Sequence, residues 1–364
     1  MPAFCGILLG GGGLVESLLK EWDGESAVIR FDRPTGAWII IAIHSTRLGP
    51  ATGGTRMKFY LDLQEAVRDA LRLAASMTYK FALADFPRGG GKGVIALPPD
   101  FDPNGRHDLL RRYGALVRQL GGLYQTGPDV GTSPADMDII AETGAPYVFC
   151  RTPENGGAGG SGEATALGVL SGMLAVCEYL YGDASVAGKR VLVQGAGSVG
   201  GPLIDMLRNA GAEVLFSDVD QASIRHFRDE IGLQFVPAED IYDTPCDILA
   251  PCALGGILNG ETIPRLKCAA VAGAANNQLA EPLDADRLRE RNILYAPDYA
   301  VNVGGAVAIT GIEAMGWSRV EAEGRVKSVR QTLRRIFDLA RAEGTTTEAA
   351  ARRIAESRLA TATI

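Results

Sequence analysis

The sequence predicts an α/β protein of two domains: an N-terminal α/β domain with a mixed sheet, and a doubly wound domain with a parallel sheet. Three observations carry this. A chain of 364 residues exceeds what one hydrophobic core usually serves. A glycine-rich stretch without periodicity, RTPENGGAGGSGEAT (151–165), reads as a hinge between two differently patterned parts. Beyond it strand and helix patterns alternate, the rhythm of a parallel sheet wrapped by helices.

Each element follows in order. Residues 1–13 read as a loose extension, with a first helix starting near Val15. The apolar runs AVIRFD and GAWIIIAIHST, separated by RPTG, predict a strand pair. LQEAVRDALRLAASMTYKFALA carries apolar residues at helical spacing. A bend at Gly89–Gly90–Gly91 leads into a short strand, KGVIALP, and HDLLRRYGALVRQLGG predicts another helix. PADMDIIAETG is a short helix after the polar loop GPDVGTS. Past the hinge, ATALGVLSGMLAVCEYL predicts a long helix, RVLVQ and AEVLFSD two strands around a helix, and DILAP, CAAVAGAA and NILYAP further strands. The tail is helical, with Thr345 and Glu348 at the spacing of a capping box.

Composition narrows the class of function. Hydrophobic content of 46 % with 22 % charged residues fits a soluble globular protein. A net charge of −7 argues against nucleic acid or acidic membranes as partners. Six scattered cysteines without a CxxC pair fit reduced thiols in the cytoplasm. Three isolated histidines, His44, His107 and His226, argue against a metal site. The apolar N-terminal patch has no preceding basic residue and is broken by glycines, so it does not read as a signal peptide. No stretch reads as a membrane span.

VLVQGAGSVGG (191–201) is a glycine-rich turn in full context, between a strand and a helix, with a second strand ending in an acid. Gly195 permits the tight turn, Gly197 lets the backbone approach a pyrophosphate, and Gly200 lets helix and strand pack closely. The N–H groups opening the helix, around Ser198 and Val199, face the phosphates. Asp218, followed by Val219, lies where a carboxylate accepts from the adenosine ribose, and the next basic residue is Arg225. This favours NAD over NADP, in a Rossmann domain.

Lys80 and Lys92 lie twelve residues apart among apolar residues, with three glycines against the second. Desolvation and like-charge repulsion would both depress a lysine from about 10.4 toward neutrality. One lysine would then act as a general base while the other holds an anion. Asp129, in a glycine- and proline-bounded loop, is the nearby candidate acid; such carboxylates also serve as simple turn formers.

Taken together, GPATGGTRM (49–57), MTYK (77–80), GGGKGVI (89–95), GPDVGT (127–132), ENGGAGGS (154–161), VQGAGSVGG (193–201), APCALGGILN (250–259), AGAANNQL (272–279) and APDYAVNVGG (296–305) resemble the amino-acid dehydrogenase family of glutamate, leucine, phenylalanine and valine dehydrogenases. The resemblance runs from about Trp22 to the end. It implies a substrate and oligomerisation domain over 14–150, completed by the C-terminal helix 345–364, an NAD-binding domain over 151–340, and a cleft between them. It further implies that Lys80, with the Gly53–Gly54 backbone, binds the substrate carboxylate, that Lys92 activates water, and that Asp129 shuttles a proton to and from the amino group. Thr165, Cys252, Ala253, Ala275 and Asn276 would touch the cofactor, with Arg56 beside it. Asn277 and Asn302 would lie at the substrate. The reaction implied is reversible oxidative deamination of an L-amino acid to its 2-oxo acid plus ammonia, by a homo-oligomer.

Specificity in the family follows side-chain volume at positions mapping to Thr52, Gly127, Ala306 and Ile309. Gly127 and Ala306 omit methyl groups and leave room for a ring, while no cation is present to receive a γ-carboxylate. Each buried CH₂ is worth about 0.8 kcal/mol, enough to shift preference by one or two orders of magnitude. The expectation is phenylalanine, with leucine or another branched-chain substrate next and tryptophan after it. Thr52 introduces a hydroxyl that could favour a polar substituent. Two other classes compete: a catalytically inactive NAD-binding regulatory protein, which would lack one of Lys80, Lys92 and Asp129, and a hydroxy-acid dehydrogenase, which would need a histidine base.

Overall fold

The computed structural model describes residues 12–362, with side chains from Val15 onward. Two compact units divide the chain, one of residues up to Thr78 plus Pro87–Gly157, the other of Tyr79–Phe86 plus Ala158–Thr363. The break after Gly157 falls inside the glycine-rich stretch. Residues 1–11 of the expected N-terminal extension lie outside the described residues, and the first helix begins at Gly12.

The first unit contains α1 (Gly12–Glu21), β1 (Ser26–Asp32), β2 (Ala37–Ser45), β3 (Ala51–Thr52), β4 (Thr55–Phe59), α2 (Leu63–Leu83, up to Thr78), β5 (Gly89–Leu97), α3 (Arg106–Gln119), β6 (Tyr124–Gln125) and α4 (Pro134–Gly144). Its sheet runs β1-β2-β5-β3-β6, with β4 also paired to β5. β2 is antiparallel to β1 and β5, whereas β3 and β4 run parallel to β5, so the sheet is mixed. Alternation in β2 explains its two cores. Ile39, Ile41 and Ile43 pack with Leu109, Tyr113 and Ile140 of α3 and α4, while Ile40 and Ala42 pack with Val67, Ala70 and Ala74 of α2. Helix α4 starts with a capping box in which Ser133 and Asp136 satisfy each other's backbone N–H.

The second unit contains α5 (Gly162–Tyr181), β7 (Arg190–Gln194), α6 (Gly200–Asn209), β8 (Glu213–Ser217), α7 (Gln221–Ile224), β9 (Gln234–Phe235), β10 (Cys246–Pro251), β11 (Cys268–Val271), α8 (Asp284–Glu290), β12 (Leu294–Tyr295), α9 (Asp298–Val301), α10 (Gly304–Met315), α11 (Arg319–Lys327), α12 (Val329–Glu343) and α13 (Thr347–Thr361). Its sheet is parallel throughout, in the order β12-β11-β10-β7-β8-β9. The order reverses between β7 and β10, the point where doubly wound sheets bind ligands beyond the strand ends.

Three differences from expectation have local causes. Helix α5 has the length and mean hydropathy (1.4) of a membrane span, but its buried residues pack among the helices α6, α10, α11 and α12. The last turn of α2 belongs with the second unit, where Phe86 meets Trp317 edge-on and Asp85 pairs with Arg358. Helix α13, expected to complete the N-terminal domain, also lies in the second unit, its Thr347 hydroxyl donating to the Tyr295 carbonyl at 2.7 Å.

Candidate active site

Lys92 sits inside β5, not after a bend. The strand already begins at Gly89, and none of Gly89, Gly90 and Gly91 has a positive φ. These glycines are needed for close approach. A Cβ on Gly89 would come within 1.9 Å of the Ser45 carbonyl, and one on Gly90 within 2.1 Å of the Thr78 hydroxyl. The strand is thereby drawn tightly against its neighbours and the Lys92 side chain is 6 % exposed.

Strand register gathers the charges. Arg56 of β4 stands opposite Val94 of β5, on the same face as Lys92 because side chains alternate. The loop after β6 brings Asp129 to both. Its Oδ2 lies 2.7 Å from Lys92 Nζ and accepts from Arg56 Nε at 2.9 Å. Burial pushes the Asp129 carboxyl up, but the charges of Lys92 and Arg56 outweigh it and hold the group well below the usual carboxylate range. Arg56 also donates through Nη1 to Asp69 at 2.9 Å, and Asp69 accepts from Tyr60 and Arg72. The Asp129 loop is fixed by the Thr132 hydroxyl, which accepts the Asp129 N–H and donates to the Thr55 carbonyl.

Lys92 thus contacts an anion, and the Lys80 charge acts on a different acid, Asp298. Arg56, expected beside the cofactor, has its guanidinium occupied by two carboxylates.

In the second unit the glycine-rich turn joins β7 to α6 at the sheet's reversal. Gly195 has φ +94° and a Cβ there would meet Ala253 at 2.7 Å. A Cβ on Gly200 would lie 1.8 Å from the Gly195 carbonyl, whereas one on Gly197 would meet nothing within 4 Å. Gly197 therefore faces open space at the start of a helix whose first N–H groups suit an anion. The Asp218 carboxylate accepts from the backbone of Ala196 at 2.6 Å, Val219 at 2.6 Å and Asp220 at 2.8 Å, which ties the turn to the end of β8. Val219 is 84 % exposed. Across the reversal, Cys252 donates its N–H to Gln194, and burial pushes its thiol up to about 12. Asn302 donates to the Ala274 carbonyl and to Asn276 Oδ1, while its own buried Oδ1 has no protein partner. An orphaned buried acceptor and an open glycine at a helix start are features that a bound nucleotide would satisfy.

The remaining sequence candidates are placed as follows. The Gly53 N–H donates to the Gln125 carbonyl, and a Cβ there would lie 1.8 Å from the Gly91 carbonyl. Its part is thus close packing against β5, and Gly54 is packed likewise, a Cβ there lying 2.5 Å from the Pro128 carbonyl. The Thr52 hydroxyl donates to the Pro50 carbonyl at 3.1 Å, which leaves it to a polar substituent only as an acceptor. A Cβ on Gly127 would find only ordinary contacts, Cys150 Sγ at 3.7 Å and the Phe149 carbonyl at 3.8 Å. Packing does not require glycine there. Ile309 is buried in α10, Ala306 half-buried in its first turns, and Asn277 adopts φ +53° in the loop after β11. Thr165 is used structurally as well, its hydroxyl donating to the Ser161 carbonyl at 2.9 Å. Ala275 donates its N–H to the Pro251 carbonyl.

Sequence reasoning missed Asp69 and Tyr60, which brace Arg56, and the buried Asp298. His44, isolated in the sequence, has its Nδ1 2.8 Å from the Thr78 hydroxyl within MTYK. Asp298 stands in APDYAVNVGG and could have been found by asking why an acid follows a proline in an apolar run.

Comparison with known proteins identifies the family. Residues 32–145 match the family model for the Glu/Leu/Phe/Val dehydrogenase dimerisation domain, and residues 156–222 and 216–364 match Glutamate/Leucine/Phenylalanine/Valine dehydrogenase. The leucine dehydrogenase of Geobacillus stearothermophilus is 42 % identical over 343 residues, 94 % of this chain and 92 % of that protein. The valine dehydrogenase of Streptomyces virginiae is 42 % identical over 355 residues, 96 % and 98 % of the two chains. The crystal structure of L-tryptophan dehydrogenase from Nostoc punctiforme superposes with a TM-score of 0.81 at 38 % identity, covering 95 % of this chain and 99 % of that one. The chain is a member of the Glu/Leu/Phe/Val dehydrogenase family, a nicotinamide-dependent amino-acid dehydrogenase of the leucine, valine and tryptophan type.

Proposed function

We propose that this protein catalyses the reversible, NAD-dependent oxidative deamination of an L-amino acid with a bulky apolar side chain, phenylalanine first, to its 2-oxo acid and ammonia. The buried Lys92–Asp129 pair at 2.7 Å carries the reading. An amine and a carboxylate in direct contact can pass a proton without a solvent intermediary.

Lys92 takes a proton from the water that adds to the iminium carbon and returns it as the carbinolamine collapses. Asp129 delivers a proton to, and removes one from, the departing or arriving amino group. Lys80 holds the substrate carboxylate. Arg56 keeps Asp129 anionic and oriented between proton transfers. Positioning and electrostatics supply most of the acceleration in such a site. When bound, the nicotinamide supplies the acceptor for the hydride leaving the α-carbon. Gly195, Gly197 and the N–H groups at Ser198, Val199 and Gly200 would hold its pyrophosphate. Asp218 would take the ribose hydroxyls and disfavour a 2′-phosphate, and Thr165, Cys252, Ala253, Ala275 and Asn276 would flank the rest.

Room at Gly127, where no neighbour forbids a side chain, supports an aromatic substrate. A branched-chain substrate is the second reading, favoured by the 42 % identity to leucine and valine dehydrogenases. Homo-oligomerisation is supported by the dimerisation-domain match, and a reducing cytoplasm by the free thiols among the described residues.

Initial rates with phenylalanine, leucine, valine, tryptophan and glutamate, each with NAD and NADP, test the reading. The expected ranking places phenylalanine with NAD highest. A clear branched-chain preference overturns the ordering, and a preference for NADP overturns the role of Asp218.

A further inference from the structure

Glu348 does not cap its helix. Thr346 is the N-cap of α13, its hydroxyl accepting from Ala349 N at 3.1 Å, one residue along from the capping box expected at Thr345 and Glu348. Freed from that duty, Glu348 points inward and hydrogen-bonds the Tyr299 hydroxyl. Beside Tyr299 stands Asp298, 8 % exposed, whose Oδ2 accepts from the Gln278 N–H at 2.8 Å and whose carboxylate feels the Lys80 charge. One turn further along α13, Arg352 lies 5.5 Å over the ring of Tyr79, the residue before Lys80, and pairs with Glu356 at 2.8 Å.

Three segments distant in sequence thus converge on Lys80. The last turn of α2 brings Tyr79 and Lys80, α9 brings Asp298 and Tyr299, and the first turns of α13 bring Glu348, Arg352 and Glu356. Tyr295 of β12 closes the group, its hydroxyl accepting from the Asp298 N–H at 3.3 Å. A buried carboxylate is costly without partners, and those of Asp298 are the backbone N–H groups of Gln278 and Tyr299, the Tyr295 hydroxyl and the charge of Lys80.

We propose that Asp298 is the positioning residue for Lys80: anchored by Gln278, it holds the ammonium where the substrate's carboxylate is received, and Glu348 behind it sets how much negative charge opposes that substrate. The inference rests on the reading of Lys80 as the carboxylate-binding residue. Burial and the Asp298 charge push Glu348 up to about 7. Above that pH a second negative charge stands near Lys80 and cancels part of its field. The KM for an anionic 2-oxo acid then rises as pH passes through that value.

The test is a double-mutant cycle in the full-length enzyme with phenylpyruvate, ammonia and NADH. Asp298→Asn keeps an acceptor for the Gln278 N–H and removes the charge. It is expected to raise the KM for phenylpyruvate about tenfold, through loss of a charge acting on Lys80, with kcat, NADH affinity and Tm nearly unchanged. Lys80→Gln is expected to raise the same KM, and adding Asp298→Asn to it is expected to cost nothing more. If Lys80→Gln leaves KM alone, the role of Lys80 falls. If Lys80→Gln raises KM but Asp298→Asn does not, or the two effects multiply independently, the positioning role alone falls. Should Asp298→Asn fold poorly, Glu348→Gln reports instead: KM should become flat across neutral pH, and a slope like the parent's overturns the proposal.

Discussion

Lys92 Nζ and Asp129 Oδ2 lie 2.7 Å apart, and the same oxygen accepts from Arg56 Nε. One carboxylate oxygen therefore serves two cations. The consequence is a carboxylate held anionic in the resting site, in direct contact with the amine beside it.

Replacing Lys92 by Ala removes the group that activates water and leaves the nucleotide turn untouched. Turnover should fall by about 10²–10⁴, the usual worth of a positioned general base. The Kd for NADH, read by fluorescence, should change less than about twofold. Near-parental kcat would refute the assignment.

The Asp129 carboxyl is depressed in the folded protein, so its contribution to stability has a defined sign. Stability from its ion pairs is fully present above the unfolded value of about 3.9 and is lost as pH falls through the folded one. Asp129→Asn should lower Tm at neutral pH, with the gap to the parent closing only in strong acid. A gap that is constant from neutral to acid pH would contradict the ion-pair account.

Glu348 has the opposite sign. Its folded value of about 7 exceeds the ordinary 4.5, so the folded state retains a proton that the unfolded chain has released. Stability from this group is highest below 4.5 and declines as pH rises through about 7. Glu348→Gln should therefore show a higher Tm than the parent above pH 8 and a similar one in mild acid. Thermal melts across this range check it.

Gly127→Ala adds a methyl group with only ordinary contacts at 3.7 and 3.8 Å. Tm should hold. If this position faces the substrate side chain, the ratio of kcat/KM for phenylalanine over leucine should drop about tenfold, in keeping with one or two methylenes of pocket volume. An unchanged ratio would remove Gly127 from the specificity pocket.

Gly197→Val should likewise leave Tm near the parental value, because nothing lies within 4 Å of the added Cβ. The KM for NAD should rise by at least about tenfold through lost close approach. Gly200→Val is the contrast: a Cβ 1.8 Å from the Gly195 carbonyl should unfold the turn itself. Equal behaviour of the two variants would contradict the roles given to these glycines.

Much of this protein is local in origin and was legible without coordinates. The turn after β7 announces itself because three glycines, a preceding strand and a following acid are all required within one supersecondary unit. Alternation of apolar residues in β2 and the helical spacing of α2 likewise depend only on residues a few places apart. Lys80, Lys92 and Asp129 stand out as candidates because charged residues in apolar or glycine-bounded surroundings are locally conspicuous, and only the family resemblance divides roles among them.

Tertiary structure decided the partners. Gly89, Gly90 and Gly91 read as a bend, since glycine permits one, yet pairing with β2 and β3 makes them strand residues stripped for close approach. Arg56 carries no local sign that two distant acids will claim it, and the Thr52 hydroxyl none that the Pro50 carbonyl will. Glu348 has the spacing of a cap, but a helix beginning one residue later turns it toward Asp298. Periodicity and turn chemistry act over one or two turns of chain, whereas burial and charge pairing act between segments that sequence order does not relate.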